Sequence, residues 1–405
     1  APLTLREEKF VRRRVRLAEL FAEGTDAIGR EVTVCGWLRS KREQKHVAFV
    51  MLTDGSCQPL LQVVMKVQED GVTEAEMAAL HEKGGAGAAL EVRGIVSAGG
   101  RGKGIEIKAT RVRIVGESIS ADYPIAKAGI PVDVLRQHQH LRPRTNLFGA
   151  VTRVRNCLAY AIHRFFQERG FYYIHTPLIS ATDCEGAGEM FGVTTLLPKD
   201  PKGDLPRTRE GAIDYSKDFF AKPTGLTVSG QLQVESFSCS LSDVYTFGPT
   251  FRAEISRTTR HLAEFWMIEP EIAFADLEDD MNLAEDFAKY LTAYALEHCA
   301  EELKFFDDRV EKGLRARLQN VVDEPFVRLT YAEAMKILTD PKTLAEAKFE
   351  NKPAYGEDLA TEHERWLTEH VYKRPVFVTN WPAAIKAFYM RKDDDGDTVA
   401  AMDLL

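Results

Sequence analysis

Short runs of apolar and polar residues dominate the first third of the chain. Residues 31–38 (EVTVCGWL), 47–53 (VAFVMLT), 60–66 (LLQVVMK), 89–97 (ALEVRGIVS) and 105–115 (IEIKATRVRIV) are rich in β-branched side chains. Turn formers such as Asp54-Gly55 separate them, so the pattern predicts five β-strands. A helical stretch, roughly Thr73 to Glu82, falls between the third and fourth. Residues 116–146, with Tyr123-Pro124, Ile130-Pro131 and Arg142-Pro143, read as a linker. The period then changes. Val151, Val154, Leu158, Ile162 and Phe165 recur at helical spacing, with Gly170 as the C-cap. FYYIHTP reads as a strand stopped by Pro177, and the polar, turn-rich residues 192–224 as a mobile insertion. VYTFGPTFRAE and AEFWMIEPEIAF flank a polar turn and predict a hairpin. Asp276 is placed to cap a long helix with Leu283, Phe287, Leu291 and Tyr294 on one face.

Five strands with a helix after the third match the OB-fold, a small barrel often used for oligonucleotides, although periodicity alone leaves other small barrels open. The chain has 405 residues, 44% of them hydrophobic, which suffices for two domains. No apolar run is long enough to cross a membrane. The charged start (Arg6, Glu7, Glu8, Lys9) lacks the apolar core of a secretory signal. The cysteines at 35, 57, 157, 184, 239 and 299 are scattered, with no Cys-x-x-Cys, which argues against a zinc site or a disulfide framework and for a reducing, cytoplasmic setting. A net charge of −8 means that any nucleic acid must be held by local basic patches.

The strongest chemical signal is Phe251-Arg252-Ala253-Glu254, a short polar loop, then Arg260-His261-Leu262-Ala263-Glu264-Phe265. On facing strands, the Arg252 guanidinium can hold a phosphate by paired hydrogen bonds, and the Phe265 ring can stack on a base. His261, in the loop, can reach an outer phosphate. An isolated Arg–Phe pair would more often be a surface arginine beside a core ring; the whole string decides otherwise.

FRAE…RHLAEFWMIEPE resembles motif 2 of the class II aminoacyl-tRNA synthetases, in the aspartate/asparagine/lysine subgroup. The helix at 151–170 and its strand resemble motif 1, and HLRPRT at 140–145 the start of the catalytic domain. DCEGAGEMF at 183–191, LTVSGQLQVES at 226–236, YTFGPTFRAE at 245–254, KAFYM at 386–390 and AAMDLL at 400–405 are similar to bacterial-type asparaginyl-tRNA synthetases. The resemblance implies an α+β chain. An N-terminal OB-fold anticodon-binding domain occupies 1–115 with a short extension, a linker 116–146, and a catalytic domain of antiparallel sheet flanked by helices 147–405. It implies activation of asparagine by ATP, with magnesium, transfer to tRNA(Asn), and a homodimer through the motif 1 region. Glu185 and Gln231 are then expected to hold the substrate ammonium, Arg252 the α-phosphate, Glu254 the adenosine, and Asp403 a magnesium ion.

Aspartyl enzymes of the subgroup carry a lysine where Val234 stands, and Glu235 follows it here. A carboxylate accepts from an amide NH₂ and repels a second carboxylate, which favours asparagine over aspartate. Phe49 and Gln62 fall where the subgroup reads the central anticodon base; Arg39, Lys41, Arg42 and Lys45 form a basic strip for phosphates. The family continues beyond AAMDLL with a further acidic metal ligand, an arginine and motif 3, so a shortened polypeptide is expected.

Overall fold

The computed structural model describes residues 11–69, 71–100, 104–126, 129–183, 190–200, 202–255 and 261–405. They form two compact units, one reaching Asn156 and adding Cys299–Lys312, the other made of Cys157–His298 and Gly313–Leu405.

In the first unit, α1 (Leu17–Glu23) precedes β1 (Glu31–Gln44), β2 (Val47–Thr53), β3 (Leu61–Lys66), β4 (Ala89–Ala98) and β5 (Ile105–Gly116). The strands close into a barrel in the order β1-β2-β3-β5-β4. Between β3 and β4 lies α2 (Glu74–Lys83), started by Thr73, whose hydroxyl accepts from Glu76 N (3.2 Å) while the Glu76 carboxylate accepts from Thr73 N (2.8 Å). All five expected strands and the helix are present. Val32, Val34, Ala48, Val50, Leu52, Leu61, Val63 and Met65 fill the barrel. Strand alternation therefore turns Phe49 and Gln62 outward.

The basic strip does not survive as one surface. On β1, Leu38 pairs with Leu52 and Ser40 with Met51, so Arg39 is an extra residue with no partner opposite. Such a bulge re-aims side chains. The Arg39 guanidinium donates to Arg144 O (2.6 Å), and the Lys41 ammonium donates to Leu80 O (2.8 Å). Arg42 and Lys45 alone of the four stay exposed.

The linker carries α3 (Val132–Gln137) and a 3₁₀ turn at Arg142–Arg144 before α4 (Asn146–Glu168). Arg153 of α4 donates to Glu302 (2.6 Å), Gln58 Oε1 (2.5 Å) and Gly55 O (3.1 Å). These bonds tie the first turns of α4 and the helix Ala300–Arg309 to the barrel, so the compact unit runs past the boundary expected at 146.

In the second unit, β6 (Tyr172–Tyr173) is shorter than the strand expected of FYYIHTP, although Ile174 N still donates to Tyr245 O (2.9 Å). β7 (Ile179–Ser180) pairs with β8 (Gly225–Leu226), and α5 (Gln231–Leu241) leads into the expected hairpin of β9 (Asp243–Phe251) and β10 (Glu264–Ile272). β6 lies parallel to β9. Phe165, Phe166, Phe171 and Tyr245 pack with Ile268, Phe287 and Leu291 beneath this sheet. The last two come from α6 (Leu277–His298), which Asp276 caps: its carboxylate accepts from Asp279 N (3.0 Å). A second sheet, β11 (Val327–Thr330), β12 (Val376–Pro382) and β13 (Thr398–Leu404), pairs parallel then antiparallel over a core of Tyr331, Leu367 and Trp381.

Within the segment 192–224, expected as a mobile insertion, Asp218 gathers several hydrogen bonds. The Asp218 carboxylate accepts from Thr194 Oγ1 (2.6 Å), Thr195 N (2.8 Å), Thr195 Oγ1 (2.6 Å) and Phe219 N (2.7 Å). These bonds hold its pKa far below the usual carboxylate range and knit the two ends of the segment together.

Candidate functional site

β9 and β10 pair over nine residues, with Phe265 opposite Thr250 and Glu271 opposite Val244. Successive side chains of a strand point to opposite faces. Ile268 and Ile272 turn into the core, which leaves Phe265, Met267, Glu269 and Glu271 together on the other face of β10.

Arg252 follows β9 directly, and its N–H still donates to Ala263 O (3.1 Å). Its guanidinium carbon stands 5.6 Å from the centre of the Phe265 ring, and Nη2 donates to Val228 O (3.4 Å), close to Met267 Sδ (3.9 Å). The expected Arg252–Phe265 pair is thus formed. Glu254 and His261 also meet, with Oε2 and Nε2 3.9 Å apart and both side chains half exposed.

At the other end of the face, Glu269 accepts from Ser229 Oγ and Gly230 N (3.1 Å). Gly230 permits this close approach: a Cβ there would lie 2.6 Å from Thr176 Oγ1. The loop so fixed delivers Gln231 as the first residue of α5, where its side chain stands near Glu271. Burial, then repulsion from Glu235, pushes the Glu271 carboxyl up to about 7, partly offset by the Gln231 hydrogen bond. Gln231, Glu235 and Glu271 therefore form one cluster. Val234 is fully buried on the inner side of α5, while Glu235 is exposed. Glu185 lies outside the described residues.

Asp403 sits on β13 opposite Val378 and accepts from Lys386 Nζ (3.2 Å). Lys386 in turn stands 3.8 Å from the centre of the Trp381 ring and 3.8 Å from Asp358 Oδ1. Among the described residues no group of three or more His, Cys, Asp or Glu is placed to hold a metal ion.

On the barrel, Phe49, Gln62 and Arg42 line one cavity of about 510 Å³ together with Glu106. The Arg42 guanidinium carbon is 4.9 Å from the centre of the Phe49 ring. Glu106, almost wholly buried, pairs with Gln62 across β5 and β3 and accepts from Gln62 Nε2 (2.7 Å).

The family model for class II tRNA synthetases (D, K and N) matches residues 132–405, and that for OB-fold nucleic acid binding domains matches residues 32–115. The chain belongs to the class II aminoacyl-tRNA synthetases of that group. It is 53% identical over 395 residues to the asparagine–tRNA ligase of Geobacter sulfurreducens, spanning 97% of this chain and 81% of that protein. It is 48% identical over 394 residues to that of Cytophaga hutchinsonii, spanning 97% and 82%. The crystal structure of asparaginyl-tRNA synthetase from Pyrococcus horikoshii complexed with asparaginyl-adenylate is similar with a TM-score of 0.78 at 27% identity, covering 97% of this chain and 80% of that one.

Sequence reasoning on this synthetase missed Glu269, Glu271 and Glu106. The first two were within reach, since they follow Phe265 at even spacing on one strand. Glu106 had no such signal, because its partner Gln62 is 44 residues away.

The Glu271 shift makes stability depend on pH. Folded, the carboxyl keeps its proton up to about 7; unfolded, it releases it near the ordinary carboxyl value of 4.5. Between these values the unfolded chain binds fewer protons, so stability falls as pH rises. Glu271→Gln is expected to remove this component, giving a flatter melting temperature across that window than wild type. Parallel curves for the two proteins would show that Glu271 titrates normally.

Proposed function

We infer that the chain acts as an asparagine–tRNA ligase. ATP activates asparagine to asparaginyl-adenylate with release of pyrophosphate, and the asparaginyl group then passes to the 3′ end of tRNA(Asn). The observation that carries this is 53% identity to an asparagine–tRNA ligase along 97% of the chain. The face of β10 that joins Arg252 to the Gln231 cluster agrees with it.

In the first step the ionised asparagine carboxylate attacks the α-phosphorus, so no general base is required. Negative charge grows on the phosphoryl oxygens, and a fixed Arg252 guanidinium stabilises that charge more than it stabilises bound ATP. Phe265 stacks on the adenine, His261 reaches the outer phosphates, and Glu254 contacts the adenosine. Gln231, with Glu185, accepts from the substrate ammonium. Glu235 accepts from the side-chain amide. Glu269 positions the loop that carries Gln231, and Glu271 stands beside Gln231. Magnesium on the ATP phosphates needs few protein oxygens; Asp403, half exposed and paired with Lys386, would supply one and help neutralise the phosphate charge.

Pyrophosphate exchange on the full-length protein tests this reading. Asparagine should support exchange and aspartate should not, because Glu235 repels a carboxylate where Val234 offers no cation. Arg252→Ala should lower the rate on the order of a hundredfold or more with an unchanged melting curve. Equal exchange with aspartate, or a near-normal rate in the variant, would overturn these assignments.

The barrel is proposed to read the anticodon, with Phe49 stacking on its central base, Gln62 bonding that base, and Arg42 holding phosphate. The half-exposed Phe49 ring outside the barrel core supports this. Phe49→Ala should weaken tRNA(Asn) binding by about 1–3 kcal/mol while leaving asparagine-dependent exchange unchanged. A lower melting temperature with intact tRNA discrimination would make Phe49 a structural residue instead.

A homodimer through the motif 1 region is part of the same proposal. Tyr160, Tyr173 and Trp266 are 61%, 41% and 52% exposed, aromatic side chains that a two-fold contact would bury. Sedimentation at micromolar concentration should give a dimer, and Tyr160→Glu should shift it toward monomer. A wild-type monomer would exclude this interface. The setting proposed is the cytoplasm, and Cys35, Cys57, Cys157 and Cys239 stand as free thiols.

A further inference from the structure

The first unit contains a cavity of about 530 Å³, walled by the barrel, the linker and the start of α4, that takes no part in the assignments above. Its size falls in the range of sites that enclose small ligands. Three arginines line it, Arg39, Arg144 and Arg153, and no acidic residue does, although the chain carries a net charge of −8.

Two of these cations have no acidic partner among the described residues. Arg39 is delivered by the β1 bulge and uses one donor, on Arg144 O (2.6 Å). Burial lowers its pKa, as expected for a desolvated cation without a counter-charge. Arg144 stands with its guanidinium carbon 5.3 Å from the centre of the Trp37 ring and makes only a long bond to Gly87 O (3.5 Å). Arg153 is neutralised by Glu302 and pulls on Gln58 Oε1, which leaves Gln58 Nε2 buried without an acceptor. Desolvated donors without acceptors are costly. Flat rings complete the lining. Trp37 is 37% exposed, and Tyr123 packs over Gly87, where a φ of +87° and a Cβ only 2.7 Å from the tyrosine ring exclude a side chain.

We propose that this cavity binds a small phosphate ester carrying a flat ring, the chemistry of a free mononucleotide. Arg39 and Arg144 fork the phosphate, Trp37 and Tyr123 face the ring, and Gln58 Nε2 donates to a ring carbonyl. An RNA strand is the less fitting source of the same phosphate. Arg39 is recessed, and the exposed cation, Arg42, lines the separate cavity with Phe49 and Gln62.

Calorimetric titration of the protein with uridine 5′-monophosphate, in saturating ATP and asparagine, tests the proposal. One site is expected. Uridine and inorganic phosphate alone should each bind at least about tenfold more weakly, since each keeps half of the contacts. Arg39→Gln and Arg144→Gln should each weaken binding about tenfold with unchanged melting curves and unchanged pyrophosphate exchange. Arg39→Lys, which keeps the charge and loses the fork, should fall between. The proposal is overturned if the nucleotide does not bind at millimolar concentration, or if both Gln variants bind it like wild type. It is equally overturned if tRNA displaces the nucleotide and Arg39→Gln weakens tRNA binding, because the cavity would then be an RNA contact.

Discussion

The nine-residue ladder between β9 and β10 is the constraint on which the catalytic unit depends. An antiparallel register fixes which side chains share a face, and a slip of one residue would exchange the faces. Here Ile268 and Ile272 are claimed by the core, so Phe265, Met267, Glu269 and Glu271 must face away from it. At about 3.4 Å per residue, these four side chains span on the order of 20 Å. Arg252 hangs from the end of the ladder and touches Val228, three residues before Gln231. The nucleotide end and the amino-acid end of the site are thus held by one pair of strands.

Carboxylates do different work along that face because their surroundings differ. Glu269 accepts two hydrogen bonds from the loop before α5 and acts as a fixed anchor. Glu271, two residues on, is desolvated, feels the Glu235 charge, and keeps its proton to about 7. Asp403 is half exposed and has a lysine for a partner. Equal residue types give an anchor, a proton holder and an ion-paired carboxylate, and only burial and neighbours separate them.

In the barrel, one extra residue redistributes charge. The bulge between Leu38 and Ser40 aims Arg39 at the linker, while Lys41 is used to cap the carbonyl end of α2 at Leu80. Arg42, past the bulge, is left beside Phe49 on the outer wall. A sequence-local basic cluster therefore becomes separate features on different parts of the unit, a recessed cation in a cavity and an exposed one beside an aromatic platform.

The sequence alone determined the elements whose signals are local. The barrel strands, the helix after the third, the Asp276 cap, the hairpin and the Arg252–Phe265 pair were all legible, because periodicity, capping and a two-strand register act over short separations. The family followed from the motif strings. Tertiary structure decided the rest. That Asp218 pins a turn-rich segment, that Arg39 leaves the phosphate strip, that Glu106 holds Gln62, and that Arg153 binds the barrel to Glu302 all depend on groups brought together across the fold. So does the protonation of Glu271, which is set by desolvation and by Glu235, 36 residues earlier. Burial and long-range electrostatics are properties of the packed chain, and no window of residues contains them.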